Sequence, residues 1–529
     1  MSFPPPLRDT GGMTFVWLIV ALVSGGLLAI AAYDLIQSRH AILRNFPIVG
    51  HFRYWLELVG PELRQYIVTS NTEERPFNRD QRRWIYASAK RENNYFGYGS
   101  NEDMELTPNY LIINQAAFPL TSPAPGQPGY DSAYRLPAAK IMGARRKRPG
   151  AFRPDSVVNI SGMSFGSLSA NAVRALNGGA KLAGCLQSTG EGSLSPHHRH
   201  GGELIWQLGT GYFGARTADG RLDLAKAKDV VASNPVRAIE VKLSQGAKPG
   251  LGGVLPAAKV TKEIAAIRGI PLGKDCISPA SHPEFHDVDG LLDFVEMLAS
   301  ETGLPVGIKS AVGDMGFWDE LARKMATTGR GVDFITIDGG EGGTGAGPLV
   351  FSDHVAMPFK VGFTRVYRAF AEQGIAEDVV FIGSGKLGFP ESALLAFALG
   401  CDMVNVGREA MMAVGCIQAQ RCHTDRCPTG VATQDKWLMR GLDPTDKAPR
   451  LANYVRTLRK ELLALSHACG VAHPALVSAG QVEILDDHFR STPVDTLFGY
   501  QPGWGLPRSA EREEIARIMA AMNQQDIPR

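Results

Sequence analysis

The 529-residue sequence predicts an α/β protein, a (β/α)8 TIM barrel with an N-terminal transmembrane helix and a helical N-terminal extension. Three observations carry that reading. Short apolar strands alternate with helical patterns from about residue 150 onward, the signature of repeated β/α units. Glycine and polar residues gather at the carboxyl end of each strand, where such barrels place their active sites. No G-x-G-x-x-G follows the first strand, which weighs against a doubly wound open sheet.

The first element is the uncharged run Met13 to Tyr33, MTFVWLIVALVSGGLLAIAAY, long enough to cross a bilayer core as a helix. Ala29-Ile30-Ala31 resembles a signal-peptide cleavage site, but Arg8 is balanced by Asp9 and no basic n-region precedes the run, which favours an anchor. Arg39, Arg44 and Arg53 follow it, so this flank and the catalytic domain are expected on the cytoplasmic side of a single-pass membrane protein. Residues 1–36 form the anchoring segment. From 37 to 150 the chain reads as two or three helices, including FRYWLELVGPELRQYIV, and loops, with the basic stretch PFNRDQRRWIYASAKRENNYFGYGS as a solvated amphipathic segment. Ser122 to Gly150 is rich in Pro, Gly and Ala and ends in Arg145-Arg146-Lys147-Arg148, which marks a linker or wrapping loop with a boundary near Gly150.

The barrel is expected over 151–470. Its strands read SVVNISGMSFG, GCLQSTGEG, AIEVKLSQG, DCISPASH, LPVGIKSAVG, DFITIDGGEGGTGAG, VVFIGSGKLG and DMVNVGREA. Helices are expected at Ala170 to Leu182, Leu291 to Glu301, Phe317 to Thr328 and Pro390 to Ala398. A tail, 471–529, ends in a charged helix, Ala510 to Met522. A formal net charge of +2 gives no basic face of the kind that binds nucleic acid, so none is expected. Seven cysteines, odd in number and mostly scattered, do not make a secreted disulfide framework.

Three of those cysteines fall in the loop 415–434, GCIQAQRCHTDRCPTGVATQ, as Cys416, Cys422 and Cys427 in a C-x5-C-x4-C array. Thiolates this close suit an iron–sulfur core wrapped by one loop. Three rather than four suggest a cluster lacking one iron. A Cys3His zinc site using His423 is the rival, although structural zinc motifs favour tighter pairs. A loop of inert buried cysteines is the third reading.

The chemistry falls on the strand ends. Gly383-Ser384-Gly385 after the seventh strand and Gly407-Arg408 after the eighth occupy positions where barrels bind phosphate through backbone N–H groups. Lys242 and Lys309, near the ends of the third and fifth strands, suit stabilisation of negative charge on a reduced flavin or a substrate carboxylate. Glu191, Gln245 and Lys248 add polar groups to the same rim. His197, His198 and His200 crowd a polar turn and read as a solvated loop rather than a metal site.

The segments SGMSFGSLS, STGEG, KLSQGAKPG, DGGEGGTGAG and GCIQAQRCHTDRCPTGVATQ, in this order from about Val157 to Gln434, resemble the FMN-binding synthase domain of glutamate synthases. The cysteine array matches that family's [3Fe-4S] motif in both spacings. The resemblance implies an oxidoreductase of the CH-NH2 class in which FMN and a [3Fe-4S] cluster lie within electron-transfer reach and 2-oxoglutarate is reductively aminated to glutamate. It implies that Met163 and Ser164 lie along the flavin with Lys309 at its pyrimidine edge. Gly340 joins the cofactor-binding positions, and Lys242, Gln245, Lys248 and Glu191 are the catalytic and substrate groups.

Departures from the pattern matter. Where the family reads KPGEGGQLP this chain has Leu251 and Val254 in place of Glu and Gln, which points toward another amino or keto acid exchanging electrons with a membrane pool. The family's amidotransferase and β-helix domains have no counterpart, and no nicotinamide domain is visible. The expected partners are 2-oxoglutarate or a related keto acid, ammonia or an ammonia-delivering amidotransferase, a ferredoxin-like or membrane electron donor, and the lipid bilayer. A noncatalytic electron-transfer subunit is the reading from another class, and retention of Lys242, Lys248 and Glu191 argues against it.

Overall fold

A computed structural model of the protein describes residues 10–127 and 129–522. The chain divides into two compact units, Met1–Asp80 and Gln81–Arg529. In the first unit α1 (Thr10–Ile36) contains the expected apolar run, and the stretch Phe15–Ile36 is long and apolar enough to cross a membrane, with only Asp34 of it buried in the protein. Two further helices follow, α2 (Ala41–Asn45) and α3 (Val49–Leu63).

The second unit is built on a closed parallel barrel of eight strands in sequence order. They are β1 (Val158–Ile160), β2 (Gln187–Ser188), β3 (Leu204–Leu208), β4 (Val236–Lys242), β5 (Val306–Ser310), β6 (Phe334–Asp338), β7 (Val380–Ser384) and β8 (Met403–Val406). The expected count of eight is met, but two assignments differ. LIWQL is β3, all five residues buried, and was not among the expected strands. Its Gln207 interrupts the apolar run because that side chain is buried in the barrel, donating to Glu240. DCISPASH is not a barrel strand: Cys276–Ile277 pairs antiparallel with Val254–Leu255 as a hairpin in the long β4–β5 connection. Lys242 therefore ends the fourth strand, not the third.

The outer helices follow from ordinary capping rules. Ser169 accepts the Ala172 N–H to start α5 (Ala170–Ala183), and Gly184 closes it in the left-handed region. The long α15 (Pro444–Ala468) lies against α5 so closely that a Cβ on Gly179 would stand 2.8 Å from the Ala448 carbonyl oxygen. Asp287 caps α8 (Val288–Thr302), and Gly303 ends it.

The segment before β1 closes the barrel floor. Ala138, Met142 and Phe152 join Ile205, Phe334, Ile382 and Met403 in one buried cluster. The basic run 145–148 is also engaged: Arg148 bonds Glu296 at 2.7 Å and Asp333 at 3.0 Å, and Lys140 meets buried Asp402 at 3.2 Å. The strand Tyr110–Ile113 pairs with Val482–Leu485, so the extension and the tail share a small antiparallel sheet. Because Asp333 is almost fully buried, removing its partner leaves an uncompensated charge. Arg148→Met should lower the unfolding free energy by about 3–5 kcal/mol in chemical denaturation, and adding Asp333→Asn should restore most of the loss.

Candidate active site at the carboxyl end of the barrel

The loop after β2 carries Glu191, and β4 ends at Lys242 before a loop carrying Gln245 and Lys248. These four side chains meet. Lys242 Nζ lies 3.0 Å from Glu191 Oε1 and donates to Gln245 Oε1 at 2.7 Å. Gln245 Nε2 donates to Thr344 Oγ1 at 3.2 Å, and Lys248 Nζ to the Ala346 carbonyl at 2.6 Å. A Cβ on Gly253 would stand 2.2 Å from Glu191 Oε1, and one on Gly209 2.8 Å from Oε2, so only glycine lets those loops approach the carboxylate. Burial alone would raise the Glu191 pKa, but Lys242, then Arg268 and Lys248, overcome it and hold the carboxyl below its usual range. Burial pushes Lys248 down to about 8, with Glu191 opposing and Lys242 adding to the shift.

Beside them stands Lys309 on β5, buried and 3.4 Å from Asp338 Oδ2. Asp338, at the end of β6, also accepts the Gly246 N–H at 3.0 Å and a hydrogen bond from the Ser384 side chain. Burial raises its pKa, and Lys309 with these donors brings it below the usual range. Burial lowers Lys309, and Asp338 and Glu240 more than offset that. Sequence reasoning missed both acids. Glu240 lies inside the barrel, accepting from Gln207 Nε2 at 2.5 Å and Thr336 Oγ1 at 2.6 Å. An acid inside the apolar strand AIEVK was the available signal, because such a group is costly unless it has partners.

The loops after β7 and β8 are neighbours. Gly385 turns the first of them at φ 119°, where a Cβ would stand 3.1 Å from the Gly339 nitrogen. Gly383 offers only its backbone, since a Cβ there would meet Leu387, Phe359 and Cys401 in the outer layer. Gly407 precedes the short α13 (Arg408–Ala413), and the Arg408 guanidinium bonds the Glu341 carbonyl. The Gly340 N–H is committed to the Met357 carbonyl at 2.9 Å. Met163 and Ser164 rest on the β2 loop, where a Cβ on Gly190 would stand 2.6 Å from the Ser164 nitrogen. At the ends of β2 and β8, on either side of β1, Ser188 Oγ and Asn405 Oδ1 are buried without a hydrogen-bond partner.

The cysteine loop winds through left-handed residues at Gln418, Gln420, Asp425 and Gly430. The Gln418 N–H reaches Cys416 Sγ at 3.4 Å, and Thr429 Oγ1 lies 3.5 Å from Cys427 Sγ. Buried Lys259 donates to the Ser167 and Cys422 carbonyls at 2.7 and 3.2 Å, and Gln434 Nε2 to the Gly166 and Leu168 carbonyls, so this loop is stitched to the loop after β1. Burial pushes the Cys416 thiol up to about 12. Among the described residues, the sole set of three or more candidate ligands whose atoms all lie within 4.8 Å of one another is the exposed Asp486, Asp487 and His488. Thiolates on one tetrahedral zinc would be about 3.8 Å apart from Zn–S distances near 2.3 Å, so the three sulfurs are spread more widely than zinc requires.

The histidine turn differs from the solvated loop expected. His197 and His198 are buried, and only His200 is exposed. Ser195 and His198 form a capping box, while His197 packs its ring on Phe165 and bonds Glu263 at 2.9 Å. Burial pushes His198 down to about 3, so it stays neutral. His282 was missed altogether. It bridges Tyr212 OH at 2.8 Å and the Lys242 carbonyl at 2.9 Å, bracing the strand end that carries Lys242.

A parallel barrel with these charged groups at its carboxyl mouth belongs to the class of barrel oxidoreductases related to glutamate synthase. The chain is a member of the glutamate synthase family: the family model described as a conserved region in glutamate synthase matches residues 140–472. The glutamate synthase large subunit-like protein YerD of Bacillus subtilis (strain 168) is 38% identical over 469 residues, spanning 83% of this chain and 88% of that protein. The archaeal glutamate synthase [NADPH] of Methanocaldococcus jannaschii is 37% identical over 323 residues, and the match spans only 59% of its length. Among solved structures, the flavin-binding domain of baker's yeast flavocytochrome b2 aligns with a TM-score of 0.44 at 14% identity, over 78% of this chain and 87% of that one, too distant to add to the barrel described above.

Lys248 is a cation that titrates near 8. An anionic substrate held by it should show a KM that rises as pH passes through about 8, because the ammonium loses its proton there. Lys248→Met should raise KM at pH 7 about 10- to 100-fold and flatten that pH dependence, as steady-state kinetics would show.

Proposed function

We propose that this chain is a membrane-anchored oxidoreductase that uses FMN and a [3Fe-4S] cluster to aminate 2-oxoglutarate reductively, with ammonia, to L-glutamate. The meeting of Glu191, Lys242, Gln245 and Lys248 beside Lys309 carries this reading. FMN supplies the hydride when bound. Lys248 and Lys242 hold substrate carboxylate oxygens. Glu191 and Gln245 fix the Lys242 ammonium, and the glycine walls keep bulk from the acid. Lys309, kept charged by Asp338, would hold the anionic edge of the cofactor, and Met163 and Ser164 would border its ring. The backbone of Gly383, Ser384, Gly385 and Gly407, with Arg408, would hold its phosphate side, and Gly340, whose N–H is committed to Met357, would only border it. Buried Ser188 Oγ and Asn405 Oδ1, which lack partners within the protein, suit a polar group seated between β2 and β8.

Cys416, Cys422 and Cys427 would hold the cluster. Two observations support the fit: the Gln418 N–H directed at Cys416 Sγ, with the Thr429 hydroxyl within reach of Cys427 Sγ, and buried Lys259 beside them to balance thiolate charge. Burial keeps the Cys416 and Cys422 thiols protonated in the absence of metal, and binding of the cluster would displace those protons to solvent as the thiolates become ligands. A second reading is favoured by the hairpin. Val254, where the family's pattern has Gln, is 39% exposed on a strand facing Ile277, so the substrate could be another amino or keto acid. Ammonia can come free or from an amidotransferase, and electrons from a ferredoxin-like or membrane carrier. The anchor is α1, with the catalytic unit cytoplasmic.

Anaerobically reduced protein should be reoxidised on adding 2-oxoglutarate with ammonia, forming glutamate. If protein loaded with flavin and cluster stays reduced, 2-oxoglutarate is excluded and other keto acids follow. Cys422→Ser should abolish the cluster's electron paramagnetic resonance signal and iron content while leaving the thermal transition of the barrel in place. The chain should remain in membranes through alkaline carbonate extraction, and release into the supernatant would remove the anchor.

A further inference from the structure

The first unit contains a feature that the reaction does not use. Asp34, in the last turns of α1, is fully buried, and both its oxygens accept from His51 Nε2, at 2.9 and 3.0 Å, while Oδ2 also accepts the Ile48 N–H at 2.9 Å. This ties the start of α3 to the end of α1. In the crook lies an open pocket of about 420 Å³ lined by Ala29, Ile30, Tyr33, Ile48 and His51. Ile48 adopts φ 66°, a conformation that a β-branched residue rarely takes. The walls are mostly apolar, and the polar side chains among them are Tyr33 and His51, the latter with its Nε2 committed to Asp34 and its Nδ1 without a hydrogen bond among the described residues.

Both helices around the crook present apolar surface. Within the span Phe15–Ile36 only Asp34 is buried, and on α3 Val49, Phe52, Trp55 and Leu58 are 54% to 74% exposed. A patch of this extent is unsuited to water and fits α3 lying along a bilayer surface at the end of the span.

We propose that this crook binds the ring of a membrane quinone, with His51 Nδ1 paired to a ring oxygen and the isoprenoid tail along the Ala29, Ile30 and Tyr33 face of α1. Charge selects the ligand. No Lys or Arg lines the cavity and Asp34 places a carboxyl behind the histidine, so a phosphate headgroup is disfavoured. Arg53, on the same helix, is engaged with Glu57 at 3.0 Å. A neutral ring oxygen is matched in both oxidation states. With Nε2–H donating to Asp34, Nδ1 accepts a quinol hydroxyl, and a protonated ring donates to a quinone carbonyl while Asp34 balances its charge. The volume is that of a small-molecule site.

The inference rests on the membrane placement of α1, which carbonate extraction tests separately. The full chain in detergent micelles would be titrated with 2-heptyl-4-hydroxyquinoline N-oxide, a fluorescent quinone-site probe. We expect saturable quenching, competed by decylubiquinone. His51→Ala and Asp34→Asn should each weaken binding at least tenfold. Ala29→Trp, which fills the cavity from an exposed helix position, should abolish it, and Trp55→Ala should leave it unchanged. Circular dichroism establishes that each variant is folded. Absence of saturable quenching in a chain retained by membranes overturns the inference. So does binding untouched by Ala29→Trp, or displacement by short-chain phosphatidylglycerol but not by decylubiquinone.

Discussion

The mouth of the barrel depends on the carboxylate of Asp338. A buried charge costs several kcal/mol unless it is paired and hydrogen-bonded. Its partners here come from three other strand ends: Lys309 on β5, the Gly246 N–H after β4, and Ser384 on β7. Satisfying one acid therefore fixes three loops against each other. The fit is tight, since a Cβ on Gly246 would stand 1.8 Å from the Gly339 oxygen and one on Gly385 3.1 Å from the Gly339 nitrogen. The loop that presents Gln245 and Lys248 cannot shift without disturbing the loop proposed for phosphate.

A second linkage joins the cysteine loop to the same mouth. Lys259 and Gln434 bond carbonyls of the segment Gly166 to Leu168, just beyond Met163 and Ser164, and the Ser169 N–H bonds the Val431 carbonyl. Left-handed residues within the cysteine loop carry strain, which persists where surrounding contacts over-determine the conformation. From the other side, the Tyr86 hydroxyl bonds the Cys416 carbonyl at 2.9 Å, so the helical extension also braces the thiols.

How much of this was legible in the sequence depended on whether the signal was local. Strand and helix alternation is local, and the eightfold count, the glycine-rich strand ends and α12 (Pro390–Ala398) could be read directly. β3 could not, because Gln207 in LIWQL is polar for a long-range reason: its partner Glu240 lies 33 residues on. Cys276–Ile277 looked like a barrel strand because an apolar pair in a hairpin has the same composition as one in a barrel. Lys242, Lys248, Gln245 and Glu191 were legible as polar groups on one rim because each sits at or just after a strand end, and the family resemblance then gave them catalytic and substrate roles. Asp338 escaped because an acid at a strand end, next to two glycines, reads as a turn signal. The histidine turn was misplaced since polarity along the chain does not reveal that Phe165 and Glu263 cover His197.

The departures at Leu251 and Val254 gain meaning from where they lie. Gly252 between them cannot take a side chain, since its Cβ would stand 1.7 Å from the Ser278 oxygen, and one on Gly253 would press on the Glu191 carboxylate. The backbone of the hairpin is thus set by the charged cluster, while the side chains at 251 and 254 are free of that constraint. Val254 faces Ile277 across the strand pair, and the two make an exposed apolar edge. Charge at the mouth and identity at the hairpin are consequently separable. The barrel holds the ammonium groups of Lys242 and Lys248, proposed here to bind carboxylate, and the hairpin can exchange polar for apolar side chains without moving them.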